Sequence, residues 1–195
     1  MLLTNIPTDW ATTVEIITPQ LLKNAFGCWQ QGRELPEALM NLQLMAGVAP
    51  KSLDIRSLWF FEYCLSITEA HLKACRMAVD LPHPDPPPLS RQALKGQVAL
   101  DFNTGSGTAP PELSAWSALF HRYFLPIRIP PEELADAAGI SARSMRRQRQ
   151  LGLVYLARQL RKAELHAYQH IADGTTGSRD SRSASAPTEV PSPIG

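Results

Sequence analysis

The chain has 195 residues, 44% of them hydrophobic, with 19 basic residues against 18 acidic ones, so it can hold one ordinary domain or two small ones around a folded core. No run reaches the about eighteen apolar residues of a membrane span, and the N-terminus lacks a basic region followed by an apolar stretch, which argues against membrane insertion and secretion. Three cysteines without paired spacing fit a reducing cytosol, so a cytoplasmic protein is expected.

Residues 1–17 carry no clear pattern, and Ala11 to Ile17 reads as a short extended piece or a loop. Thr18 and Pro19 read as the cap and first residue of a helix that runs through Leu21, Leu22, Phe26 and Trp29 and ends near Gly32. Pro36 opens a second short helix through Leu39, Met40, Leu42, Leu44 and Met45, with Gly47 as its stop. Asp54 is placed to cap a longer helix reaching Val79. Along it Phe61, Leu65, Thr68, Leu72, Cys75 and Val79 recur in alternating steps of four and three. Glu62, Ser66, Glu69, Lys73 and Arg76 form the opposite face, with Glu69 and Lys73 spaced for an ion pair. The apolar stripe can serve as a dimer or partner seam, or it can pack against the two preceding helices. It is short for a coiled coil, which favours packing.

From Asp80 to Ser90 the chain carries Pro82, Pro84, Pro86, Pro87 and Pro88, so a helix cannot continue and an extended spacer is expected. Arg91 to Phe102 reads as helix or strand, weakened by Gly96. Asn103 to Pro110 reads as a flexible loop. Pro111 and Glu112 start another helix, whose Leu113, Trp116, Leu119, Phe120, Tyr123 and Phe124 are apolar. Pro126 and Pro130 interrupt the chain after it. The chemistry-bearing residues do not assemble into a recognised catalytic or metal pattern. Cys64, His71 and Cys75 share one helix without the fourth ligand zinc requires, and His71 and His121 lack a partner at catalytic spacing. Gly105-Ser106-Gly107 has no lysine after it, as a phosphate loop would. Neither an enzyme, a metal site nor a cofactor is expected.

The most informative stretch begins at Pro131. Proline suits a first helical position, and Glu132, Glu133 and Asp136 lie near the positive end of the helix dipole. Gly139 is placed to end this helix in a left-handed turn, Ile140 can drop into the corner, and Ser141 can cap the next helix. That second helix is expected to run from Ala142 to about His170, with Gly152, Leu156, Leu160, Ala163 and Ala167 inward, while Leu151 and Val154 face a second surface. At about 100° per residue from an inward Met145, Arg143, Arg146, Arg147 and Gln150 point outward. Between Ser141 and Ala163 lie six Arg, one Lys and no acid, which leaves the rest of the chain with 12 basic residues against 18 acidic, a net of −6. A solvated helix face is the ordinary reading of a charge run. Its coincidence with the turn signature favours a nucleic-acid surface.

The run Ala138-Gly139-Ile140-Ser141-Ala142-Arg143-Ser144-Met145-Arg146-Arg147 resembles the helix-turn-helix of LuxR-type regulators and of sigma-factor region four. The resemblance covers about sixty residues, from Pro111 to Tyr168. It implies an inner set of Leu134, Ala135, Gly139, Ile140 and Met145, with Ala138 beside them. It also implies a DNA-facing set of Arg143, Ser144, Arg146, Arg147 and Gln150, with Arg158, Arg161 and Lys162 nearer the DNA backbone or elsewhere. Gln148 and Arg149 flank Met145 where sigma-type versions keep an apolar residue. The expected fold is therefore all-α: a helical N-terminal module (1–81), a proline- and glycine-rich linker region (82–110), a helix-turn-helix domain with a long second helix (111–172) and a disordered tail (173–195). The expected role is binding of double-stranded DNA in transcription regulation. The alternative is a protein–protein adaptor that reuses the same shape, with a homodimer or protein partner meeting the N-terminal helices.

Overall fold

The computed structural model describes residues 14–46, 53–104 and 107–177 and is all-α apart from one minimal hairpin. Its helices are α1 (Pro19–Gln30), α2 (Glu37–Met40), α3 (Leu53–Met77), α4 (Arg91–Phe102), α5 (Pro111–Tyr123), α6 (Pro131–Ala137) and α7 (Ala142–Gly177). A 3-10 turn at Gln43–Met45 follows α2, so the second expected helix is two short pieces. Gly47, its expected stop, lies outside the described residues. The β-strands β1 (Asn103–Thr104) and β2 (Gly107–Thr108) pair antiparallel inside the segment read as a loop.

Local chemistry sets the ends of these elements. Thr18 Oγ1 accepts from Leu21 N at 3.1 Å, and Ser90 Oγ accepts from Ala93 N at 3.2 Å, so each cap satisfies an orphan amide of the first turn. Leu53 begins α3, so Asp54 sits in the first turn rather than capping it. At the other end Asp80 takes a left-handed backbone (φ 55°) while Leu81 N returns to the Arg76 carbonyl.

The core is organised around α5. Every residue from Leu113 to His121 is buried, because α5 packs against α3, α4 and α7 at once. Its small residues Ser114, Ala115, Ser117 and Ala118 let those neighbours approach. Gly152 of α7 makes the closest approach. A Cβ there would lie 2.5 Å from the Ala115 carbonyl oxygen and 3.0 Å from Leu119 Cβ, so only glycine fits this crossing without movement.

The proline-rich stretch does not divide two cores. Leu22, Phe26, Leu39, Met45, Phe60 and Leu72 from the N-terminal side share one apolar cluster with Leu113, Trp116, Leu119, Leu153, Leu156 and Leu160. The physical reason is that α1 and the 3-10 turn lie directly on α7. Arg161 reinforces this packing, its Nε donating to the Ile17 carbonyl at 2.9 Å. The α3 stripe is spent on the same core: Thr68 and Leu72 are fully buried as expected, while in the first turns Phe60 and Cys64 take the centre and Phe61 and Leu65 the flank, one residue out of the expected phase.

Two further expectations need correction. The region read as linker contains α4, whose Leu94, Val98 and Phe102 form a second cluster with Ala118, Ile129, Leu134, Ala135, Ala138 and Met145. The tail was expected to begin at Asp173, yet α7 continues to Gly177, and 178–195 lie outside the described residues. Among the described residues no helix is long and apolar enough to cross a membrane.

Candidate nucleic-acid interface

Helices α6 and α7 meet through a turn of Ala138, Gly139, Ile140 and Ser141. Gly139 has φ 66°, its N–H donates to the Asp136 carbonyl at 3.1 Å, and Ile140 N donates to the Ala135 carbonyl at 3.0 Å. This paired closure satisfies the last carbonyls of α6 and needs a residue that tolerates positive φ. Space is not the constraint, since a Cβ on Gly139 would meet nothing nearer than Asn103 Nδ2 at 3.9 Å. Asn103 Nδ2 also donates to the Ala138 carbonyl at 3.2 Å and so braces the turn from the end of α4. Ser141 Oγ then accepts from Ser144 N at 3.1 Å and starts α7.

The inner residues hold the pair together. Leu134, Ala135, Ala138 and Met145 are buried and Ile140 is half-buried. Removing a Leu134-sized side chain from water is worth about 1.5–3 kcal/mol. Helix α4 supplies the opposite wall and adds polar ties, with Glu133 bonded to Lys95 Nζ at 2.7 Å and to Arg91 Nη2 at 2.5 Å. The hydrogen bond from Lys95, with Arg91 adding to it, holds the Glu133 carboxyl below its ordinary value. Glu133 is thus a cross-helix anchor as well as a first-turn acid.

Arg143, Ser144, Arg146, Arg147 and Gln150 are all exposed on the first turns of α7. Among the described residues none of the three arginines forms an ion pair. Arg146 Nε makes only a long bond, 3.3 Å, to the Ala142 carbonyl of its own helix. The five residues share the outward arc of α7 but do not all line the same groove. Ser144, Arg147 and Gln150 line an open groove of about 590 Å³ together with Pro111, Gln148, Leu151 and Val154. Arg143 and Arg146 lie outside that groove. Leu151 is half-buried and Val154 is 43% exposed, so they face this groove instead of the second packed surface expected for them. Ser144 has a local duty too, its hydroxyl lying 3.0 Å from Ser141 Oγ at the cap. Further along, Arg158 and Lys162 are exposed, whereas Arg161 is committed to the Ile17 carbonyl.

Such a surface offers guanidinium donors in forked geometry, which suit phosphate oxygens or a guanine edge.

Elsewhere in the fold lies a buried polar chain that sequence spacing did not reveal. Arg76, expected on the solvent face of α3, is 2% exposed and grips Asp101 with two bonds of 2.7 Å. Ser117 Oγ donates to Asp101 Oδ2, and His121 Nδ1 lies 2.9 Å from the Ser117 carbonyl. His121 therefore does have a serine and an aspartate nearby. Their order gives the hydroxyl proton to Asp101, and Ser117 is fully buried, so the hydroxyl is spent within the network. Burial pushes the His121 imidazole down to about 4. A second missed residue is Glu164 on α7. It is fully buried, and its two oxygens accept from Gln43 N at 2.7 Å and Leu44 N at 2.8 Å. Elsewhere His71 stacks on Trp116 at 4.8 Å, Cys64 is buried and Cys75 is half-buried.

No protein-family model, curated protein or solved structure matches this chain.

Proposed function

We propose that the chain is a cytoplasmic DNA-binding protein, a transcription regulator that lays the first turns of α7 in the major groove of duplex DNA. One observation carries the reading. Arg143, Arg146 and Arg147 stand exposed and without ion partners on a helix that begins at a tight, glycine-closed turn and buries Met145 on its other side. The first turns of such a helix are the part that reaches base edges in helix-turn-helix proteins. The adaptor reading has its own support in the groove beside Leu151 and Val154, whose apolar lining suits a protein chain better than a phosphate backbone.

Replacing Arg146 and Arg147 together with Glu tests this. Both are exposed, so stability should move by about 0.5 kcal/mol or less. Affinity for duplex DNA should collapse, and the slope of log affinity against log salt should flatten by about one for each lost phosphate contact. Gly139→Val is the contrasting variant. A β-branched residue resists φ 66°, so it should damage folding and binding together. Equal low-salt binding of duplex by the double Glu variant and the parent would remove the nucleic-acid reading in favour of the adaptor.

A further inference from the structure

A cavity of about 220 Å³ lies between α3, the proline-rich strap and α4, with Phe120 at its floor. At about 30 Å³ of liquid volume per water, that is room for roughly seven waters or one molecule of amino-acid size. Its walls carry both signs of charge: Lys73 and Arg76 on one hand, Glu69 and Asp85 on the other. We infer that it is a binding site for a small zwitterion of α-amino-acid class, whose carboxylate meets Lys73 and Arg76 and whose ammonium meets Glu69 and Asp85.

Three observations carry this. Glu69 and Lys73 have the spacing of a helical ion pair, yet among the described residues they form none, and both line the cavity instead. The Arg76 guanidinium is fixed before any ligand arrives. Nε and Nη2 bind Asp101, and Nη1 lies 3.1 Å from His83 Nδ1. Arginine only donates, so His83 accepts at Nδ1, and three of the five guanidinium N–H groups are engaged, leaving two without a protein partner. This buried, preoriented donor costs little further ordering on binding. Glu69 and Asp85 also oppose each other. Burial first, and then the Asp85 charge, push the Glu69 carboxyl above its ordinary value, and an ammonium between the two carboxylates would relieve the second of these.

The proposal stands apart from the nucleic-acid reading, and its test measures binding alone. The common L-α-amino acids would be screened against the full chain at millimolar concentration by thermal shift and saturation-transfer NMR. At least one should bind, and its deaminated and decarboxylated analogues, each with a single charge, should bind much more weakly. Glu69→Gln and Lys73→Met should each weaken the bound amino acid by roughly tenfold or more, the worth of one charge-assisted hydrogen bond. Circular dichroism confirms that each variant is folded, and neither residue belongs to the buried core. If no amino acid binds, if a singly charged analogue binds as well, or if both variants bind like the parent, the inference is overturned.

Discussion

Glu164 offers the most direct test of how the two ends of this chain are joined. Its carboxylate, fully buried on α7, closes the start of the 3-10 turn by accepting from Gln43 N and Leu44 N. Glu164→Ala leaves two half-buried amides without their acceptor, at up to about 1–3 kcal/mol each. Part of that is offset, because the variant no longer holds a carboxylate out of water. A net loss of about 3 kcal/mol follows, which for a chain of this size lowers the thermal midpoint by about 6–12 °C. Glu164→Gln keeps one acceptor oxygen but turns an N–H toward the second amide, so it should fall between parent and Ala. Thermal unfolding followed by circular dichroism at neutral pH ranks the three proteins. If Ala and Gln both unfold within about 2 °C of the parent, the carboxylate does not hold the N-terminal helices onto α7 and this account of the joint fails.

Gly152→Ala should destabilise by about 1–3 kcal/mol through overpacking, because its Cβ would sit 2.5 Å from the Ala115 carbonyl oxygen; Gly96→Ala, in open space on α4, should stabilise by up to about 1 kcal/mol, and equal urea midpoints for the two would remove the close-crossing argument. His121 is held neutral by burial with a folded-state value of about 4 against 6.5 unfolded, so the unfolded chain binds the proton first, and stability that is complete above pH 6.5 should fall by up to about 3 kcal/mol on the way to pH 4. The lowered His83 acts in the same direction. Urea titrations at neutral and mildly acidic pH read this slope, which His121→Gln should flatten; a parent whose midpoint ignores pH in that range would refute it.

Sequence alone was enough for the turn and for most helix ends, because those are set by neighbours in the chain. Thr18 with Pro19, and Gly139 with Ser141, act through hydrogen bonds that span three to five residues, and no distant partner is needed to read them. The exposed arginines of α7 were legible for the same reason, since an inward Met145 fixes the phase of the wheel. What spacing could not give was partnership across the fold. Arg76 was assigned to solvent because a helix wheel treats an arginine as polar, whereas Asp101 lies 25 residues away and makes its burial tolerable. Glu164 finds its partners more than a hundred residues upstream. A signal for it did exist: it is the first acid after the acid-free cationic stretch and sits four residues beyond Leu160, on the inward stripe, where a carboxylate demands a buried donor. Asp101, beside Phe102 on a helix whose Val98 and Leu94 face inward, carried the same signal. Helix α4 reads as helix or strand in sequence but falls inside the proline- and glycine-rich region assigned as linker, because Gly96 and the flanking prolines outweigh its three core residues.

That misreading bears on function more than the others. Helix α4 has two faces with different duties. Leu94, Val98 and Phe102 form the wall against which α6 and Met145 pack, while Asp101, on the same helix, holds the Arg76 guanidinium at the edge of the mixed-charge cavity. Asn103, one residue past its end, braces the Ala138 carbonyl in the turn that launches α7. Helix α4 therefore touches both the wall of the cavity and the packing beneath the helix pair. Contact through a shared helix does not by itself make two sites communicate. Coupling exists only if occupancy of one changes the free energy of the other, and it must then be equal in both directions. The Arg76–Asp101 pair is one route such coupling could take, since it is a buried ionic link between the cavity wall and α4. Its geometry is already closed without any ligand, with both bonds at 2.7 Å, which favours a rigid wall over a switch.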